Sequence, residues 1–432
     1  MGGQRQRTGP VESDLVYDWN QVAPASCSLE RPPRIVLNDE TLRDGLQSPS
    51  VRQPSLEQKQ AFLRRLPPLG IAAANLGYPG AGPALLADVV ALAQTLAAER
   101  LPIQPNCAGR THVDDILPIL EAQERSGVAI DAALFIGSSR IRQWVEGWDL
   151  AYLLRTVEAA VTFATSRGLA VMFVTEDTTR AHPDDIAALY LAAAGAGASR
   201  VCLADTVGHA TPTGVQALAR FVRERLAAAG FEWLPLDWHG HRDRGLDLVN
   251  AMAALSAGVE RVHGCALGIG ERAGNTAMDL LLVNLALLGW MDLDLASLPE
   301  YVRLASVMTG IPVEPRYPVV GADVFTTSTG VHAAAVAKAQ AKGDAWLADR
   351  IYSAVPAGMV GRCQTITVGP MSGRSNALCW LQAHGLEGTP ARLAAILEAA
   401  KQAEHVLDEA ETQTILDRLE RRRSGRDAAV LA

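Results

Sequence analysis

The sequence has no surplus of positive charge. Its 39 Lys and Arg are outnumbered by 47 Asp and Glu, giving a formal net charge of −8. Binding phosphate backbones needs a concentrated basic surface, so no nucleic-acid partner is expected. The one basic cluster, Arg418 with Arg421 to Arg423, reads as a solvated helix end. Cysteine is scarce: Cys27, Cys107, Cys202, Cys265, Cys363 and Cys379 include no C-x-x-C pair. They read as reduced, small core residues of a cytoplasmic protein. No apolar stretch follows the polar and basic Met1 to Pro10, so no signal peptide is read there. The longest candidate span, Leu280 to Trp290, is too short to cross a bilayer, and no membrane partner is expected. A Gly-rich phosphate loop after the first strand is also missing, which disfavours a doubly wound nucleotide-binding sheet.

What is present is a long chain with 49% apolar residues, enough for one large domain and a smaller one. Residues 1–33 lack clear periodicity and read as an arm, partly ordered by Tyr17 and Trp19. From Arg34 short apolar runs alternate with Ala/Leu-rich amphipathic stretches. The runs are Arg34 to Leu37, Ala72 to Gly77, Ile103 to Cys107, Ala132 to Ile136, Ala170 to Val174, Arg200 to Ala204, Leu234 to Trp238 and Arg261 to Ala266. Repeated strand–helix units of this number predict an α/β fold, a (β/α)8 TIM barrel over residues 34–294. Pro312, Pro315 and Pro318 then punctuate a linker. Residues 295–432 read as a smaller, mostly α C-terminal subdomain that completes the active site. Thr326 to His332 is loop-like, Val368 to Asn376 is Gly/Ser-rich, and Pro390 to Arg423 is helical and charged.

The segment Trp238-His239-Gly240-His241 places two imidazoles at i and i+2 on one side of a strand. Alone, it would be an ordinary strand with two polar residues. Paired with the acidic segment Asn38-Asp39-Glu40-Thr41-Leu42-Arg43-Asp44-Gly45-Leu46-Gln47, it reads as a site for one divalent metal. Zn, Mn and Mg all suit such a mixed donor set. Barrel active sites lie where the strands end. Polar residues stand at those predicted ends: Arg43 and Asp44, Asn75, Arg110, Ser138 and Ser139, Glu176 and Asp177, Asp205 and Thr206, His239 and His241, and Asn275.

Three separated motifs carry a resemblance. Leu42 to Gln47, His239-Gly240-His241 and Gly268-Ile269-Gly270-Glu271-Arg272-Ala273-Gly274-Asn275 resemble the signatures of the 2-isopropylmalate synthase and homocitrate synthase family. Thr175 to Asp177, Ala204 to Gly208 and Thr329 to His332 add to the likeness. These acyltransferases condense acetyl-CoA with a 2-oxo acid and then hydrolyse the thioester. The resemblance implies Asp44, His239 and His241 as metal ligands, with Asn275 as a fourth. It implies Arg43 as the group that meets the developing alkoxide, and Glu176 as support for base chemistry at the acetyl group. Thr206 would hold the oxo acid carboxylate. Gln47, Asn75, Arg110, Ser139 and Arg242 are further substrate-binding candidates. His332 and Tyr352 would reach over a neighbouring barrel in a homodimer, with His332 and Glu176 the candidate bases. The small-molecule partners would be acetyl-CoA and the oxo acid. No leucine-sensing regulatory domain is expected.

Two departures bear on the substrate. The family usually has Glu at the end of the second strand, where this chain has Asn75, and Asn or Asp after the second histidine, where it has Arg242. A negative charge lost and a positive one gained at the mouth favour an acidic 2-oxo acid: oxaloacetate, 2-oxoglutarate or a phosphono- or phosphinopyruvate. The alternatives are 2-oxoisovalerate, or an Arg242 that points away. A retro-Claisen lyase on the same barrel and a catalytically inert scaffold are competing functions.

Overall fold

The structure is a computed structural model that describes residues 12–18, 20 and 29–430. Eight parallel strands close into a barrel in sequence order. They are β1 (Val36–Asp39), β2 (Ala73–Asn75), β3 (Gln104–Arg110), β4 (Asp131–Gly137), β5 (Val171–Glu176), β6 (Arg200–Asp205), β7 (Leu236–Gly240) and β8 (Arg261–Gly264). Closure is made by β1 pairing with β8, where Asn38 faces His263 and Asp39 faces Gly264. A helix follows every strand, from Leu56–Leu63 after β1 to Met278–Leu287 after β8. The eight-unit reading of the sequence is therefore correct, and the fold is a (β/α)8 barrel with a helical C-terminal region.

Local chemistry starts several of these helices. Ser55 and Gln58 form a reciprocal capping box, while Asp149 and Thr211 each accept a backbone N–H at a helix start. Pro83, Pro183 and Pro212 occupy first-turn positions where a missing N–H costs nothing. Between strands and helices lies one large apolar core that includes Leu37, Leu134, Phe173, Leu203 and Trp238.

The lumen is different. Alternation along β7 turns Asp237 and His239 inward and Trp238 outward into the helix layer. Asp237 accepts from Arg200 Nη1 at 2.7 Å and Arg261 Nε at 2.6 Å, and lies 3.1 Å from His263 Nε2. This ionic plug fills the N-terminal end of the barrel, with Asp237 and Arg261 fully buried. Burial pushes the Asp237 carboxyl up, but the two arginines more than reverse that and hold it well below its ordinary range. Above the plug sit Ala133, Met172 and Cys202, with Val174 packed against them.

The helix Leu298–Thr309, which begins just past residue 295, packs on the barrel. Its Tyr301 stacks on Phe62 at 5.1 Å and donates its hydroxyl to Asp39 Oδ2 at 2.6 Å. A separate small core begins farther along and joins Val368, Ala377, Leu381, Leu393, Ile396, Ala400 and Leu416. The stretch read as a loop from Thr326 to His332 is only partly one. A short strand at Thr326–Thr327 pairs with Thr365–Ile366, and a helix starts at Gly330, so His332 lies in a first turn. The charged tail is two helices, Pro390–Gln402 and Glu409–Val430. In the N-terminal arm Tyr17 is exposed, and Trp19 lies outside the described residues.

Candidate metal centre and active site

The donors expected from the sequence converge. Asp44 lies just past β1, His239 lies inside β7, and His241 follows the strand in a bridge to Asn275. His239 Nε2 and His241 Nε2 stand 3.3 Å apart. Asp44 Oδ2 is 3.3 Å from the first and 3.8 Å from the second. Metal–donor bonds of about 2.0–2.2 Å place neighbouring donors roughly 3.0–3.6 Å apart, so this triangle suits one ion. All three residues are buried.

Charge favours the binding forms. Burial pushes the Asp44 carboxyl up, but Arg43 and the two imidazoles outweigh it and hold it well below its usual range. Burial, aided by the adjacent His239, drives His241 down to about 4, so its ring is neutral near pH 7. Asn275 supports a fourth donor. Its Oδ1 is buried with no hydrogen-bond partner among the described residues. A side chain at Gly270 would meet both the Asn275 amide and Asp44 Oδ1, at 2.8 and 3.1 Å. The donor set and the unpartnered oxygen fit a divalent cation.

Arg43 closes one side of the site. Its Nε and Nη2 hold Glu40 Oε2 at 2.9 and 2.7 Å, and its Nη1 holds Asp44 Oδ2 at 3.0 Å. Gln47 Oε1 accepts weakly from Nη1 at 3.4 Å. The cavity at the C-terminal end of the barrel measures about 300 Å³ and is lined by Arg43, Asp44, Gln47, Asn75, Glu176, Thr206, His239 and His241 among others. Glu176, the last residue of β5, is raised above its ordinary value by burial, with Arg142 opposing. Thr206 Oγ1 accepts from Asp177 N at 2.8 Å.

The sequence matches known proteins. The model of the HMGL-like family matches residues 34–304. The chain is 32% identical over 374 residues to the Probable 2-isopropylmalate synthase of Ignicoccus hospitalis, covering 86% of this chain and 88% of that relative. It is 33% identical over 330 residues to homocitrate synthase AksA of Methanocaldococcus jannaschii, covering 75% and 77%. The chain belongs to the alkylmalate synthase family. In fold it resembles an HMG-CoA lyase of Bacillus subtilis, with a TM-score of 0.54 at 21% identity over 66% of this chain and 97% of that one.

Not every candidate of this alkylmalate synthase family member reaches the cavity. Arg110 turns outward, where Nε and Nη2 grip Asp115 at 2.8 Å each. Ser139 is spent as a helix cap, accepting from Arg142 N at 3.4 Å. Arg242 is directed behind the site, its Nη1 3.5 Å from Leu267 O, and it does not line the cavity. The positive charge inferred at the mouth is therefore not Arg242. Arg272 lines the cavity instead, held by Asp243 at 2.9 Å. The negative charge inferred as lost is also replaced. Glu40 lines the cavity, with Oε1 3.5 Å from Asn75 Nδ2. His332 and Tyr352 stack on each other at 4.0 Å on the exposed surface, apart from the cavity lining.

Sequence reasoning overlooked Glu40, Tyr78, His263, Glu271 and Arg272 as lining residues. For Glu40 the signal was available, because alternation along β1 puts it on the same lumenal side as Asn38. No helix among the described residues is long and apolar enough to cross a membrane.

Proposed function

We propose that this enzyme condenses acetyl-CoA with a 2-oxo acid and releases CoA by hydrolysis of the thioester formed. One observation carries the reading: Asp44, His239 and His241 converge on one point at the barrel mouth, with the Arg43 guanidinium against it. A divalent cation bound there would polarise the ketone, worth several kcal/mol.

The remaining work falls to the chain's own groups. Arg43 stands where negative charge grows on the ketone oxygen and needs no reorganisation to meet it. Thr206 offers a hydroxyl to the oxo acid carboxylate from the end of β6. Glu176, across the cavity and raised by burial, is suited to take a proton from the acetyl methyl. His332 and Tyr352 do not line the cavity of their own chain; on this reading they serve the barrel of a second copy. Zn, Mn and Mg each match the donors.

The test is a thiol-release assay with acetyl-CoA, a panel of 2-oxo acids and each metal. Free thiol that depends on both the oxo acid and the metal supports the reading. Thiol release without an oxo acid, or cleavage of a 3-hydroxyacyl-CoA in its place, overturns it.

A further inference from the structure

The cavity holds a charged group that the proposed chemistry does not use. Glu40 follows β1, and its backbone N–H donates to Gly264 O at 2.8 Å, tying it to the barrel seam. Its carboxylate is 1% exposed, yet it lines the cavity. Oε1 accepts from Asn38 Nδ2 at 2.8 Å and lies 3.4 Å from His263 Nδ1 and 3.5 Å from Asn75 Nδ2. Oε2 is occupied by Arg43. Groups from β1, β2, β8 and the following loop therefore clamp the side chain, and it cannot swing out of the way.

We infer that Glu40 is a specificity-determining residue, a fixed negative charge that turns away 2-oxo acids bearing a second anionic group and reserves the cavity for those with an uncharged, largely apolar side chain. The inference rests on the condensation reading above. Glu40 acts in two ways. It repels a distal carboxylate directly, and it takes up Nε and Nη2 of Arg43, so that arginine cannot turn to receive one.

The rest of the wall agrees. Among the described residues lining the cavity the arginines are Arg43 and Arg272. Arg272 is committed to Asp243 and to the Thr206 carbonyl. Against these two stand four carboxylates, Glu40, Asp44, Glu176 and Glu271. A bound cation would offset part of that excess, but the substrate's own 2-oxo carboxylate would engage it. A second carboxylate would be buried beside Glu40 without an uncommitted arginine or lysine to pair it, which is costly. The apolar part of the lining is Ala108, Ala133, Phe135, Met172, Val174 and Ala204, and the neutral polar groups beside it are Gln47, Asn75, Tyr78 and Thr206. Together they offer contact area and neutral dipoles, with no free cation among the described lining residues.

The test compares kcat/KM for 2-oxobutyrate and 2-oxoisovalerate with kcat/KM for 2-oxoglutarate and oxaloacetate, using the metal-loaded full chain. Two like charges about 5 Å apart at an effective dielectric near 20 correspond to roughly a hundredfold, and wild type should favour the uncharged acids by about that factor. Glu40→Gln keeps the volume and an acceptor for Arg43. It should raise the acidic-to-uncharged ratio about tenfold or more, even where total activity falls. Calorimetric titration of the metal-loaded protein with 2-oxoisovalerate and with 2-oxoglutarate reads the same selectivity when a variant does not turn over. Wild-type preference for an acidic substrate, or an unchanged ratio in Glu40→Gln by both methods, overturns the inference while leaving condensation intact. Absence of thiol release with every oxo acid would instead remove the condensation reading, and the titration would still decide the role of Glu40.

Discussion

His239 Nε2 and Asp44 Oδ2 lie 3.3 Å apart, joining strand β7 to the loop after β1 across the seam where the barrel closes. The contact sets two buried polar groups at a spacing that one ion can bridge, so much of the site's behaviour is open to measurement.

Metal should stabilise the protein through these two residues. A titration with Mn²⁺ or Zn²⁺ at about a hundred times its Kd should add roughly 2.7 kcal/mol to unfolding. Asp44→Ala should abolish that increment, and equilibrium dialysis should find no stoichiometric ion. An undiminished shift in the variant would place the ion elsewhere.

Glu176→Gln should lower kcat by about 10²–10⁴-fold, with KM for the oxo acid changed little. Because burial raises its carboxyl, the acid limb of the wild-type kcat profile should fall above the ordinary glutamate value of 4.5. A variant that lost oxo acid affinity at unchanged kcat would reassign the residue to binding.

Gly270 has φ of 156°, and an added Cβ would strike the Asn275 amide at 2.8 Å. Gly270→Ala should weaken metal binding by about 10–100-fold, the range seen when groups around metal ligands are disturbed. Calorimetry with Mn²⁺ reads this directly.

Asp39 is pushed up to about 6 by burial, against the lowering effect of the Tyr301 hydroxyl and Thr41. The folded protein then holds a proton that the unfolded chain has released. That stabilisation is complete below about pH 4 and lost as pH rises through about 6. Asp39→Asn removes the titration, so wild type should lose about 1.4 kcal/mol relative to the variant between pH 5 and pH 8. Urea unfolding at the two pH values measures it.

If His332 serves a second subunit, mixed inactive variants should complement. Refolding Glu176→Gln with His332→Ala at equal ratio would give mixed dimers with one intact site, and about a quarter of wild-type activity. Activity no higher than either variant alone would confine His332 to a local role.

The sequence made the barrel legible because each strand's apolar run met a helix of different period. It also showed the metal donors, since His239 and His241 share parity on one strand. Strand ends were less visible: β7 runs on through His239 and Gly240 to its end, and β3 reaches Arg110. Polar residues there find partners, His239 in the lumen and Arg110 outside it on Asp115, so hydropathy alone reads them as loop. Side-chain direction was the other hidden quantity. Arg110 ends β3 and Arg242 stands just past β7, where the local backbone turn decides between cavity and exterior, and partners such as Asp115 are set by tertiary packing. Glu40 was overlooked because a charge beside a predicted loop looks solvated, whereas the neighbouring strands enclose it.

The ionic plug of Asp237, Arg200, Arg261 and His263 also has a consequence for solvent. It stoppers the barrel from below, so water and reactants reach the chemistry only through the upper opening. Whatever covers that opening during turnover therefore governs both entry and hydrolysis.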